Sequence, residues 1–173
     1  MENFRLKEHE DYIDLFQEYQ TKKHSIRSDQ NNTVIITLPV SLIYLVEQKH
    51  RVFQTAIEQS PYKETVRYNK QKLYIPSDTF RGIFVPSIRA MIKHIEEMQK
   101  IPQVEDIDIL MMVGGFVECK LVQDAVRSYF GNSKSIIIPE EAGMAVMKGA
   151  VLLALSRKMK KDVRQDLVMV FHI

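Results

Sequence analysis

The chain has 173 residues, with 24 Lys or Arg against 22 Asp or Glu and a formal net charge of +2. Hydrophobic residues at 45% and charged residues at 27% exclude a disordered chain, and six Gly, six Pro and one Cys exclude collagen-like and disulfide-stapled scaffolds. The near-neutral balance leaves no electrostatic footprint for nucleic acid, no apolar run approaches the roughly 18–20 residues of a membrane span, and the charged opening MENFRLKEHEDY has no apolar signal-peptide core, so a cytoplasmic protein of one large or two small domains is expected, with neither nucleic acid nor membrane as partner.

Residues 4–23 read as one helix, with Tyr12, Leu15, Phe16 and Tyr19 at three- and four-residue spacing and Lys22 and Lys23 closing it where cations suit the helix dipole. A polar turn at 27–32 (RSDQNN) leads to a β-branched strand at 33–38 (TVIITL). After Pro39, the residues Leu42, Leu45, Val46, Phe53 and Ile57 make a second helical stripe ending near Ser60 and Pro61. Residues 66–68 and 73–75 look like the arms of a small hairpin. The longest helical pattern spans 77–100, with Ser77 as its N-cap and Pro86 predicted to kink or split it.

The pattern then changes. Residues 108–113 (DILMMV) form the near-continuous apolar run of a strand buried on both faces. Gly114 and Gly115 follow at once, then a helix at 118–130, a short strand at 135–138, and a helix at 140–160. This order requires parallel strands and a right-handed crossover. The expected organisation is an α+β unit over 1–100, an α/β unit over 101–161 and a divergent tail over 162–173. Two parallel strands are too few for a complete buried sheet. The apolar tail LVMVFHI can supply a further strand or act as an aggregation-prone edge.

A buried strand that ends in Gly-Gly and opens a helix lets backbone approach a ligand and presents free N–H groups, although a plain tight turn has the same signature. It is neither a GxxxxGK[ST] phosphate loop nor a GxGxxG fingerprint. The stretch ILMMVGGFVECKLVQDAVRSYFG (109–131) resembles the adenosine motif of the actin-like ATPases, above all of the 70-kDa heat-shock chaperones, and looks most like their divergent heat shock 70 kDa protein 12 branch. IIIPEEAGMAVMKGAVLLAL (136–155) resembles the segment that follows there, whose helix is the second interlobe connection. Upstream, SDTFRGIFVPSI (77–88) resembles the long helix of subdomain IIB, and EYQTKKHSI (18–26) the helix with basic adenosine contacts. The matches run in family order over about residues 2–155. The resemblance implies an α/β fold: a partial actin-like (ribonuclease H-like) ATPase lobe II, with an α+β subdomain IIB followed by an incomplete subdomain IIA, and ATP or ADP with Mg2+ as ligand.

Carried over residue by residue, Gly114 and Gly115 match the glycines that pack against adenosine, and Lys22 and Lys23 match the basic pair bordering adenine and ribose. Glu118 stands where typical members place an arginine that stacks on the adenine. Phe116 and Val117 replace small polar residues, and Phe116 offers a stacking face instead. Glu140 and Glu141 lie near an acid that organises metal-bound waters in the family. Helix-end lysines and first-turn acids also serve the dipole alone. Neither family phosphate loop (DxGTT-like or DxGGGTxD-like) occurs in the sequence, nor do the lobe I lysine and acids, so the chain is not expected to hydrolyse ATP alone. It reads as a fragment or truncated product that binds ATP or ADP, with the missing lobe or a nucleotide-exchange factor as partner. The alternative is a non-catalytic protein-interaction module built on the same domain. Cys119 reads as a packed thiol, the five His lack a zinc pattern, and Arg157, Lys158, Lys160, Lys161 and Arg164 read as a solvated basic run.

Overall fold

Residues 2–29, 31–104, 106–156 and 169–172 are described by the computed structural model. The chain divides into two compact units, Met1–Phe84 and Val85–Ile173. Among the described residues, no helix is long and apolar enough to cross a membrane.

The first unit opens with α1 (Glu2–Lys7) and α2 (His9–Ser25). The single helix expected at 4–23 breaks at Glu8, with φ −122° and ψ 60°. The break brings the Phe4 ring, 2% exposed, edge-on to Tyr12 at 6.2 Å between centroids. A straight helix would hold residues eight apart about 12 Å apart along its axis, so the ring contact at 6.2 Å requires the bend. Strand β1 (Thr33–Thr37) pairs antiparallel with β3 (Lys72–Pro76), which pairs antiparallel with β2 (Arg67–Asn69), giving the order β1-β3-β2. The hairpin between β2 and β3 turns on Lys70 (φ 45°) and Gln71 (φ 65°). Both central residues of this two-residue turn are left-handed, the type I′ pattern that Asn-Gly adopts most easily.

The expected stripe from Leu42 to Ile57 divides into α3 (Val40–His50) and α4 (Phe53–Glu58). Arg51 at φ 62° and the extended Val52 make the break, and the Glu47 carboxylate accepts the Phe53 N–H at 3.2 Å. The turn sends Phe53 into the core, where it packs on Tyr68 at 4.5 Å. In α5 (Ser77–Gly82), Phe80 is fully buried between Tyr19 and Phe84, at 6.2 and 5.5 Å. Ser77 is not the N-cap. It is the first residue of α5, and its hydroxyl donates to the Asn32 carbonyl, so it ties the helix to the start of β1.

The second unit holds α6 (Val85–Gln99), β4 (Ile109–Val113), α7 (Lys120–Phe130), β5 (Ser135–Ile137), α8 (Ala145–Ser156) and β6 (Met169–His172). The long pattern at 77–100 splits just before Pro86, whose ring cannot follow a continuous helix without removing a hydrogen bond. The sheet order is β5-β4-β6, all parallel, so the tail supplies a third strand where two were read from the sequence. Leu110 pairs with Met169 and Val113 with His172. Leu121, Val122, Val126 and Phe130 are the buried side chains of α7 at helical spacing, and with Leu110, Met112 and Val113 of β4 they supply much of this unit's buried core. Burial on both faces is incomplete, since Ile109 and Ile137 are each 40% exposed. Helix α8 begins at Ala145, later than expected. Residues 157–160 of the expected final helix, the basic run from Arg157 to Arg164, and residues 162–168 lie outside the described residues.

Candidate functional site

Strand β4 delivers the chain to Gly114, whose φ of 102° is a conformation side chains rarely adopt. The Gly114 N–H donates to the Ala142 carbonyl at 2.8 Å, and the Val117 N–H returns to the Gly114 carbonyl at 3.1 Å. The Gln123 side-chain amide donates to the Val117 carbonyl at 2.9 Å, which fixes the turn to α7. Val117 (1% exposed) and Cys119 (fully buried) anchor the turn in the core, as the packed-thiol reading of Cys119 expects. Gly115 is exposed, and a Cβ added there would meet nothing within 4 Å. Phe116 beside it is half-buried.

Glu118 turns toward a second loop. Its carboxylate accepts the Gly143 N–H at 3.0 Å. A Cβ on Gly143 would lie 2.3 Å from Glu118 Oε1, so a side chain there would have to displace this carboxylate. Glu141 forms an ion pair with Lys148 of α8, and Glu140 is exposed. Both glutamates precede the helix, so neither is the first-turn acid that the sequence suggested.

Gly114, Gly115, Phe116 and Glu118 therefore come together in one turn, with Ala142 and Gly143 against it. Lys22 and Lys23 lie in the other unit. Lys22 is half-buried and lines a cavity of about 200 Å³ with Ser25, Ile26, Asn32 and Thr33. Lys23 is 8% exposed, so the pair is not simply a solvated helix end. Ala142 and Gly143 escaped the sequence reading. Their signal was small residues set between two acids and an apolar helix. Among the described residues, no three His, Cys, Asp or Glu side chains gather as a metal site.

Compared with known proteins, the chain is 32% identical over 169 residues to heat shock 70 kDa protein 12A of Homo sapiens and of Mus musculus. Over nearly its whole length the chain is thus similar to the heat shock 70 kDa protein 12 branch. Heat shock 70 kDa protein 12B of Homo sapiens is 28% identical over 144 residues. These alignments cover 96% and 82% of the chain but 25% and 21% of the relatives, so the chain spans about a quarter of the length of the curated relatives it matches. No family model and no solved structure matches it. The glycine turn, the Glu118 loop contact and α8 all fall within the segment aligned to protein 12A, because only a few residues of the chain lie outside that alignment.

Proposed function

We propose that the turn from β4 into α7 is the adenosine half-site of an actin-like ATPase lobe of the heat-shock 70 kind, and that the chain binds ATP or ADP without hydrolysing ATP alone. One observation carries the reading: a left-handed Gly114 at the carboxyl end of the central parallel strand, followed by Gly115 with open space over its Cα. Ligands of open parallel sheets bind outside the carboxyl ends of the strands. The Gly114 amide is held by Ala142, so the ligand contact is close approach at Gly115, with the Phe116 ring available to the base. Lys22 and Lys23 join this set on the family resemblance, as do the subdomain IIB and IIA assignments of residues 1–100 and 101–161.

The test is a calorimetric titration of the chain with Mg–ADP, repeated on Gly115→Arg. The fold tolerates a side chain at this position, because a Cβ there has no neighbour within 4 Å. Micromolar binding that Gly115→Arg abolishes supports the site. Binding that Gly115→Arg leaves unchanged places the nucleotide elsewhere.

A second reading, a protein-interaction module, is favoured by α8. Val151, Leu152 and Leu155 are 54%, 65% and 65% exposed on a helix that is apolar over most of its length. A helix apolar all round is normally buried. Under this reading a partner protein covers α8, whereas under the first the remainder of an ATPase lobe covers it, in line with relatives about four times longer than the matched segment. Sedimentation of the chain as a soluble, compact monomer over a wide concentration range would count against this reading.

A further inference from the structure

We propose that Glu118 is a positioning residue that clamps the loop before α8 to the glycine turn, so that the two move as one unit. The two loops are joined at adjacent residues and in opposite senses. The Gly114 N–H donates to the Ala142 carbonyl at 2.8 Å, while the Gly143 N–H donates to the Glu118 carboxylate at 3.0 Å. Ala142 is 2% exposed, so the first bond is sealed from water. The second is an amide-to-carboxylate bond, roughly twice as strong as its neutral counterpart. The Glu141–Lys148 ion pair then ties the same loop to α8.

Glycine at 143 has a reason in this arrangement. The volume that its Cβ would occupy holds Glu118 Oε1, 2.3 Å away. A side chain at 143 therefore competes with the clamp, since it has to push aside the carboxylate of a residue twenty-five positions earlier in the chain. Loss of the carboxylate removes the partner of the Gly143 N–H and frees the loop, while the Gly114–Ala142 bond remains. The clamp rests on geometry alone. Its influence on nucleotide affinity rests on the reading of the glycine turn given above.

The experiment compares the full chain with Glu118→Gln and Glu118→Ala by two readouts, amide exchange at Gly143 and Mg–ADP affinity. Glu118→Gln keeps an acceptor oxygen at the same place. Expected is Gly143 exchange at least about tenfold faster in Glu118→Ala, near-native exchange in Glu118→Gln, and unchanged protection of α7 in both. ADP affinity is expected to fall in Glu118→Ala and to recover in Glu118→Gln. Unaltered Gly143 exchange in Glu118→Ala overturns the clamp. Equal loss of affinity in both variants with native exchange also overturns it, because Glu118 would then touch the ligand directly. If wild type binds no ADP while the exchange pattern appears, the clamp stands and the nucleotide reading fails. Gly143→Ala completes a double-mutant cycle: it should cost more stability in wild type than in Glu118→Ala, where no carboxylate has to be displaced. Equal effects in the two backgrounds also contradict the proposal.

Discussion

The two units solve the same burial problem with different materials. The first is an antiparallel three-stranded sheet with an aromatic-rich core: Phe4, Phe53, Phe80 and Phe84 are all at most 7% exposed. The second is a parallel sheet whose core is mostly aliphatic, drawn largely from β4 and one face of α7, with Val122 and Val126 fully buried. Antiparallel sheets tolerate a wet face, whereas parallel sheets normally need cover on both. The consequence is visible in the second unit, where Ile109, Ile137 and the leucines of α8 stay exposed. The first unit also leaves single apolar side chains such as Leu6 and Val40 exposed, but its buried ring cluster is drawn from several short elements. The second presents apolar surface that its described residues do not cover.

The contrast can be broken most severely at Phe80. Phe80→Ala removes a fully buried ring that contacts Tyr19 and Phe84, and should cost about 3–5 kcal/mol. Urea unfolding followed by circular dichroism measures it, and a loss below about 1 kcal/mol would show that the aromatic cluster is not the core of that unit.

A pair of backbone substitutions tests the positive-φ turns of the two units against each other. Gly114, at φ 102°, is the residue type its conformation requires, so Gly114→Ala should cost about 1–3 kcal/mol. Gln71, at φ 65°, is not, so Gln71→Gly should stabilise by about 1 kcal/mol. The Leu38 N–H bond to the residue-71 carbonyl, 2.7 Å long, is a backbone contact and survives the change. Thermal melts of the two variants should shift in opposite directions. Shifts of the same sign would contradict the assignment of strain.

The smallest effect lies between α6 and α7 in the second unit. The Tyr129 hydroxyl donates to the Glu96 carboxylate at 2.5 Å. That hydrogen bond first, then the negative charge of Glu96, hold the phenol above its ordinary value of 10.0. A raised folded-state value stabilises the fold below the ordinary value and is lost as pH rises through the raised one. Wild type should therefore lose stability relative to Tyr129→Phe as pH rises above the ordinary phenol value, and denaturant midpoints below and above that value check it. Parallel pH profiles would mean that the bond contributes nothing.

Much of the fold was readable from residue order. The apolar run at 108–113 with two glycines behind it marked the strand and its turn, and the helix read at 118–130 is α7, which starts at Lys120. The hairpin arms were also readable, as was the division at Pro86. The breaks at Glu8 and Arg51 were not, because neither position holds Gly or Pro. Each break follows from where a distant aromatic must go: Phe4 onto Tyr12, and Phe53 onto Tyr68. In the candidate site, Gly114, Gly115 and Phe116 were legible as a turn, while the partner loop at Ala142 and Gly143 was not. A close approach of two loops leaves only small residues in the sequence, and small residues have many causes.

The sequence by itself determined the order and type of most elements, the parallel character of the second sheet, the glycine turn and the relationship to the heat shock 70 kDa protein 12 branch, because periodicity, turn chemistry and motif order are local properties of the chain. Tertiary structure decided the rest. It placed β6 beside β4, it buried Lys23, and it set the Glu118 carboxylate on the Gly143 amide. Those outcomes depend on which groups meet across long stretches of chain, and only the folded backbone brings them within hydrogen-bonding distance.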